Sequence, residues 1–159
     1  MIGKQRLTRE QALQKARHYC AYQERCHTEV RDKLYSFGLW KNEVEETLSG
    51  LVEEDYLNEE RFAIQFAGGH FRMKQWGRVK IRYELKQKRV SEYCIKKALK
   101  EIGEEDYLKS LEELAKKKWE ALKGDEGFAR YGKLQDYLMR KGYEPDLIRE
   151  TIKAINAIP

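Results

Sequence analysis

The sequence predicts an all-α protein made of three tandem three-helix repeats. Self-similarity is the first observation behind this. Residues 53–57, Glu-Glu-Asp-Tyr-Leu, return unchanged at 104–108, a shift of 51. The same shift carries Val30, Leu34, Val44, Leu48 and Leu51 onto Ile81, Leu85, Ile95, Leu99 and Ile102, and a further 53 carries these onto Leu134, Leu138, Ile148, Ile152 and Ile155. A fixed period of this kind marks stacked supersecondary units. Composition is the second: Pro145 and Pro159 are the only prolines, and Glu, Lys, Leu and Arg abound, which favours helix. Charge is the third, since 37% of residues are Asp, Glu, Lys or Arg. A module of about 50 residues buries little surface alone and must lean on its neighbours. The repeats fall at 1–57, 58–108 and 109–159, and the high charge favours an elongated, curved helical stack without right-angle turns.

Each helix has a local justification. In the first repeat Thr8 and Gln11 match a capping box, followed by Leu13, Ala16 and Cys20 at helical spacing. Val30, Leu34 and Phe37 define a second helix that stops near Gly38, and Val44, Leu48 and Leu51 a third. In the second repeat Asn58 is the expected cap of a helix with Phe62, Phe66 and Met73 on one side. Gly68-Gly69 weakens that helix and marks a bend or a close contact. Residues 78–85 (Arg-Val-Lys-Ile-Arg-Tyr-Glu-Leu) alternate as a strand would. The equivalent stretches of the other copies have helical spacing (Val30 and Leu34; Tyr131, Leu134 and Leu138), so helix is predicted here too. Ser91 caps the next helix. Its counterpart Glu144 precedes Pro145, a favoured first helical residue. Gly38 and Gly142 occupy equivalent positions just past a helix, where the middle copy has Arg89. Residues 124–127, Gly-Asp-Glu-Gly, form a turn.

Several function classes find no support. His18, His27 and His70 are far apart in sequence, no Gly-rich phosphate loop opens a helix, and acidic pairs such as Glu53-Glu54 and Glu59-Glu60 suit helix starts better than acid–base chemistry. Cys20, Cys26 and Cys94 are odd in number and lack paired ligand spacing, so neither a disulfide framework nor a metal site is expected. No apolar run is long enough to span a membrane, and residues 1–6 lack the apolar core of a leader, which points to the cytoplasm. The expectation is a noncatalytic protein without cofactors.

Charge distribution is more informative. Residues 72–100 hold eleven basic and two acidic residues, whereas residues 41–60 hold eight acidic residues against Lys41 alone. Arg78, Arg82, Lys86 and Arg89 recur every three or four positions, a stripe along one helix face. Arg72 and Lys74 precede it, Lys80 lies within it, and Lys96, Lys97 and Lys100 follow on the next helix. Such a concentration of one sign suits a polyanion: nucleic-acid phosphates or an acidic protein surface. Trp76, Tyr83 and Phe71 lie in or beside this stretch, and Trp76 is the candidate for stacking on a base. Tyr56 and Tyr107, equivalent by the repeat, are expected to be structural at the joints between repeats.

Three blocks resemble the RecX family of recombination regulators. Arg25-Cys26-His27-Thr28-Glu29-Val30-Arg31-Asp32-Lys33-Leu34 is similar to the family's R-S-x-x-E-L-R-x-K-L. Residues 55–63, Asp-Tyr-Leu-Asn-Glu-Glu-Arg-Phe-Ala, resemble its G-Y-L-D-D-x-R-F-A. This likeness continues through residues 77–81, Glu84-Leu85 and Lys88-Arg89-Val90. Leu138-Met139-Arg140-Lys141-Gly142-Tyr143 resembles its closing F-L-x-R-R-G-F. Cys26, Asp55 and Arg89 depart from the usual Ser, Gly and Gly. The resemblance spans roughly residues 10–155. It implies a regulator of RecA, acting in DNA repair, recombination and the SOS response, that lies in the groove of the RecA–DNA filament and reduces ATP hydrolysis and strand exchange. The partners it implies are the RecA filament and DNA, met directly or within the filament, for a cytoplasmic monomer. The residues expected to meet RecA or DNA are Arg72, Lys74, Arg78, Lys80, Arg82, Lys86, Arg89, Lys96 and Lys97. A RecA-independent helical-repeat protein that binds nucleic acid is the alternative.

Overall fold

The computed structural model describes residues 6–155, so the N-terminal stretch read for a leader, save Arg6, and Pro159 lie outside the described residues. The described chain is helical, in the order α1 (Arg9–Tyr22), α2 (His27–Ser36), α3 (Lys41–Glu53), α4 (Glu59–Lys74), α5 (Arg78–Gln87), α6 (Glu92–Lys100), α7 (Glu104–Ala121), α8 (Gly127–Arg140) and α9 (Pro145–Ala154). Among the described residues no helix is long and apolar enough to cross a membrane.

Local signals act where the sequence places them. The Thr8 hydroxyl accepts the Gln11 amide at 3.1 Å while the Gln11 side chain accepts the Thr8 amide at 3.0 Å, a reciprocal cap on α1. Asn58 Oδ1 accepts the Arg61 amide at 2.9 Å, and Ser91 Oγ accepts that of Cys94 at 3.3 Å. The alternating stretch at 78–85 is helical within α5. Its odd members Val79 and Tyr83 are exposed while Ile81 and Leu85 are fully buried, so the alternation coincides with a four-residue helical stripe. Helix α4 runs unbroken through Gly68-Gly69. A Cβ on Gly68 would lie 2.7 Å from Nη1 of Arg72, so this glycine marks a close contact rather than a bend. Met73 departs from expectation: it is exposed, and Phe71 meets the interior instead, with its ring centroid 5.9 Å from that of Tyr107.

The chain divides into two compact units. The described residues through Gln65 with Leu85–Ile95 form one, and Phe66–Glu84 with the described residues from Lys96 onward form the other. The middle three helices each contribute to both. In the first unit α1, α2 and α3 pack on one another. Its core joins Ala12, Ala16, Val30, Leu34, Val44, Leu48, Leu51 and Leu57. Burying each such Leu or Val contributes about 1.5–3 kcal/mol. Cys20, Cys26 and Cys94, all in this unit, are free and buried. Burial, with a hydrogen bond to Glu29, pushes the Cys26 thiol up to about 11. Carboxylates of the acidic run in and just after α3 are paired with arginines of the same unit. Glu43 pairs with Arg6, Glu46 with Arg9 at 2.7 Å, Glu54 with Arg17 at 2.9 Å and Glu45 with Arg31 at 2.9 Å. Exposed pairs of this kind stabilise little individually. Their consequence is that the acidic stretch is not an unbalanced face.

In the second unit α7, α8 and α9 pack together. The joint between α5 and the end of α8 is backbone on backbone. The Gly77 amide donates to Lys141 O at 2.7 Å and the Val79 amide to Gly142 O at 2.9 Å. A Cβ on Gly77 would overlap the Gly142 carbonyl, and one on Gly142 would overlap Cβ of Lys80. Only glycine permits this approach.

The repeated pentapeptide takes two conformations. Glu53 ends α3, and Glu54, Asp55 and Tyr56 turn, with Asp55 left-handed at φ 63°. Residues 104–108 open α7 instead, because Gly103 is its N-cap and α6 has already ended at Lys100. Tyr107 is therefore 0% exposed and Tyr56 36%. The equivalence of these tyrosines does not hold.

Gly38, Arg89 and Gly142 do occupy equivalent turns, at φ 86°, 59° and 95°. Their amides close onto Tyr35 O, Lys86 O and Met139 O at 2.9, 2.9 and 3.0 Å. Arg89 holds a left-handed conformation that costs a residue with a Cβ about 1–2 kcal/mol. Replacing Arg89 with Gly is expected to raise stability by about 1 kcal/mol. Gly142→Ala, which combines positive φ with overlap on Lys80, is expected to lower it by roughly 2–4 kcal/mol. Urea denaturation followed by circular dichroism measures both.

Candidate polyanion-binding surface

Three members of the predicted basic set line one groove of the second unit. Arg78 and Arg82 from α5 face Lys96 and Lys100 from α6 across an open cleft of about 460 Å³. Leu99 and Ile102 supply its apolar lining and Gly103 and Glu104 close its end. Helical spacing accounts for the arrangement, since Arg78 and Arg82, like Lys96 and Lys100, are four residues apart.

Arg78 differs from its neighbours. Nη1 donates to Glu144 at 2.8 Å and Nη2 to Glu104, and its side chain is only 23% exposed. Its guanidinium carbon lies 3.8 Å from the centroid of the Tyr107 ring. The Tyr107 hydroxyl donates to Glu144 and accepts the Arg78 amide at 2.8 Å. Glu144, expected only as the residue before a helix, thus uses its carboxylate on Arg78 and Tyr107 and makes no side-chain cap on α9. Beside this cluster the Tyr143 hydroxyl donates to Gln75 O at 3.0 Å and lies 3.1 Å from Ser110 Oγ. The two tyrosine rings are 5.0 Å apart. Arg78 therefore holds the wall of the groove in place, and Arg82, Lys96 and Lys100 add positive charge along it.

Lys74 and Lys80 are placed elsewhere in the second unit, at Trp76. Their ammonium groups lie 5.3 and 4.6 Å from the indole centroid, and His70 stacks on the ring at 4.4 Å. Exposed cation–π contacts of this kind contribute about 0.5–1 kcal/mol, a loose hold. Arg72 folds over Gly68 and borders a cleft that also holds Asp106 and Glu113, so its surroundings are mixed in sign. Lys97 is exposed on α6. Lys86 and Arg89 belong to the first unit, where both are exposed and Lys86 lies 3.9 Å from Glu92.

A second basic cleft was not anticipated. Lys117 and Lys118 of α7 and Tyr137 and Lys141 at the end of α8 line a space of about 280 Å³ with Gln75, Leu114 and Ala121. No carboxylate lines it. The Lys116-Lys117-Lys118 run is its visible sequence signal, but the contribution of Lys141 depends on the fold.

Comparison with known proteins places these features. The model of the RecX second three-helix domain matches residues 58–99, and that of the third matches 104–152. The regulatory protein RecX of Prosthecochloris aestuarii is 33% identical over 89% of this chain and 91% of its own. The chain belongs to the RecX family. The regulatory protein RecX of Thermotoga petrophila, 32% identical, covers 96% of this chain and 89% of its own. The crystal structure of RecX from Lactobacillus salivarius superposes with a TM-score of 0.85 at 23% identity, covering 94% of this chain and 97% of that one, which establishes the shared helical-repeat fold. In this RecX family member, the boundary between the two matched domains falls just before Glu104, where α7 begins.

Two outcomes follow from the tyrosine cluster. Tyr107→Phe removes the partner of both the Arg78 amide and Glu144, and is expected to cost about 1–3 kcal/mol in urea denaturation. Burial pushes Tyr143 up to about 12 from its ordinary 10 and raises Tyr107 further, with the Glu144 carboxylate adding to the effect. In both cases the folded state holds its proton to higher pH than the unfolded chain. Both contributions are complete below pH 10; that of Tyr143 is lost as pH rises from 10 through 12, and that of Tyr107 starts to fall at the same pH and goes on falling above 12. Stability should fall there by up to about 1.4 kcal/mol per pH unit per tyrosine, and Tyr143→Phe should reduce that slope.

Proposed function

We propose that the protein is a noncatalytic, cytoplasmic, monomeric regulator of homologous recombination and DNA repair. It binds the RecA–DNA filament and lowers RecA ATP hydrolysis and strand exchange. Membership of a family of regulatory proteins supports this reading. The observation that carries the residue-level proposal is the groove in which Arg82, Lys96 and Lys100 converge beside a braced Arg78. A cationic groove with an apolar floor suits an acidic surface of a protein partner, because apolar contact adds to charge pairing when both are desolvated. The mechanism needs no bond chemistry. Bound protein that contacts the filament's resting form more tightly than its active form shifts the population toward the former.

A second reading, binding to nucleic acid without RecA, is favoured by the one-signed charge of residues 72–100. Duplex DNA separates the two readings. Tight, salt-sensitive binding to duplex DNA alone, with RecA ATP hydrolysis unchanged, favours the second.

The deciding measurement is DNA-dependent ATP hydrolysis by RecA titrated with the protein. Hydrolysis is expected to fall as the protein approaches stoichiometry with filament subunits, and an unchanged rate at excess removes the proposal. The triple variant Arg82→Glu, Lys96→Glu and Lys100→Glu should require about tenfold more protein for the same effect, equivalent to ~1.4 kcal/mol. Arg78 is left intact because its reversal would set a carboxylate against Glu104 and Glu144. Helicity of the variant, read by circular dichroism, should match the parent.

A further inference from the structure

The surface around Trp76 and Tyr137 has a chemistry that the groove lacks. Two aromatic rings are each approached by two ammonium groups. Lys74 and Lys80 lie over Trp76, and Lys118 and Lys141 lie 4.8 and 6.0 Å from the Tyr137 centroid. The two sets are joined, because Lys141 Nζ donates to the carbonyl of Lys74 at 3.0 Å. Gln75, between Lys74 and Trp76 in the chain, lines the cleft that holds Lys117, Lys118, Tyr137 and Lys141. Of the acidic residues of α7 near these lysines in the chain, Glu112 pairs with Lys116 at 2.7 Å, Glu120 pairs with Lys123 at 2.9 Å, and Glu113 lines the other cleft with Arg72 and Lys109. The result is a belt of five lysines and two half-buried rings within one compact unit, with no carboxylate lining the cleft at its centre.

We infer that this belt is a binding site for single-stranded nucleic acid, with bases stacked on Trp76 and Tyr137 and phosphates held by the surrounding lysines. Alternation of aromatic faces and ammonium groups is what an unpaired strand requires, since its bases expose π-faces at intervals along a charged backbone. The lysines now over the rings act as placeholders. A base stacks on an aromatic face more strongly than an exposed ammonium does, so it can displace one. The displaced ammonium, on a flexible stem, is then beside the incoming phosphate. Duplex DNA offers no such bases, and an acidic peptide offers charge without π-faces. The site is separate from the Arg82–Lys96–Lys100 groove in residues and in chemistry, and it does not depend on RecA.

The test uses the full chain without RecA. Trp40→Phe and Trp119→Phe leave Trp76 as the only tryptophan, and its emission is followed during titration with oligothymidylate. Quenching of Trp76 that saturates is expected. The logarithm of affinity should fall linearly with the logarithm of salt concentration. Lys118→Gln with Lys141→Gln should weaken binding about tenfold and reduce the salt slope by about 0.7 for each lysine lost. Trp76→Phe, read by anisotropy of a labelled oligothymidylate, should bind more weakly than the parent with the slope unchanged. No quenching at low salt, or equal affinity of the double-lysine variant, overturns the inference. Polyglutamate quenching Trp76 as strongly as oligothymidylate overturns it in favour of an acidic protein partner, and equal affinity for duplex DNA overturns the stacking assignment. RecA ATPase measured on the same variants keeps this site's failure distinct from failure of the filament reading.

Discussion

The second unit depends on the close approach of two glycine backbones, Gly77 before α5 and Gly142 after α8. Two backbone hydrogen bonds, made where two helix ends meet, fix α5 against the end of α8 without any side chain between them. That approach brings the Arg78 amide to Tyr107 and the Arg78 guanidinium to Glu144. A buried hydroxyl, a carboxylate and a guanidinium are each costly to bury alone, and here each satisfies another. The same contact seats Lys80 beside Gly142, and its ammonium reaches Trp76. Basic side chains are thus positioned by a joint that is itself uncharged.

Sign and placement of charge divide the molecule's work. In the first unit arginines of α1 and α2 answer the carboxylates of α3, so a stretch that is strongly acidic in sequence is balanced in space. In the second unit the lysines of α6, α7 and the end of α8 outnumber nearby acids around two clefts. Net charge along the sequence exaggerates the contrast for the acidic run and understates the basic surface of the last repeat, whose Lys117 and Lys141 are distant in sequence and adjacent in the fold.

The fold was legible because its signals are local. A threonine cap, an Asx cap, a proline at a first helical position and three equivalent left-handed turns each act within a few residues, and the repeat carried a helical reading across the alternating stretch at 78–85. The pentapeptide misled for an equally local reason: α6 ends at Lys100 and Gly103 caps the start of α7, so identical residues at 53–57 and 104–108 meet different backbones. The candidate surface was legible only in part. Spacing on one helix identified Arg78 and Arg82, but nothing in spacing shows that Arg78 is braced by Glu144 and Glu104. Lys74 and Lys80 read as members of the basic set around the stripe, yet they sit at Trp76, where Lys80 lies against Gly142 and Lys141 donates to the Lys74 carbonyl, contacts that local spacing does not reveal.

The three buried thiols of the first unit have a use beyond packing. A thiolate forms and reacts only where solvent reaches it, and burial both hides these groups and holds Cys26 protonated. Since Cys20, Cys26 and Cys94 all belong to one unit and the other has none, their alkylation keeps time for the opening of that unit alone. The molecule carries its own clock, wound into one half and silent about the other.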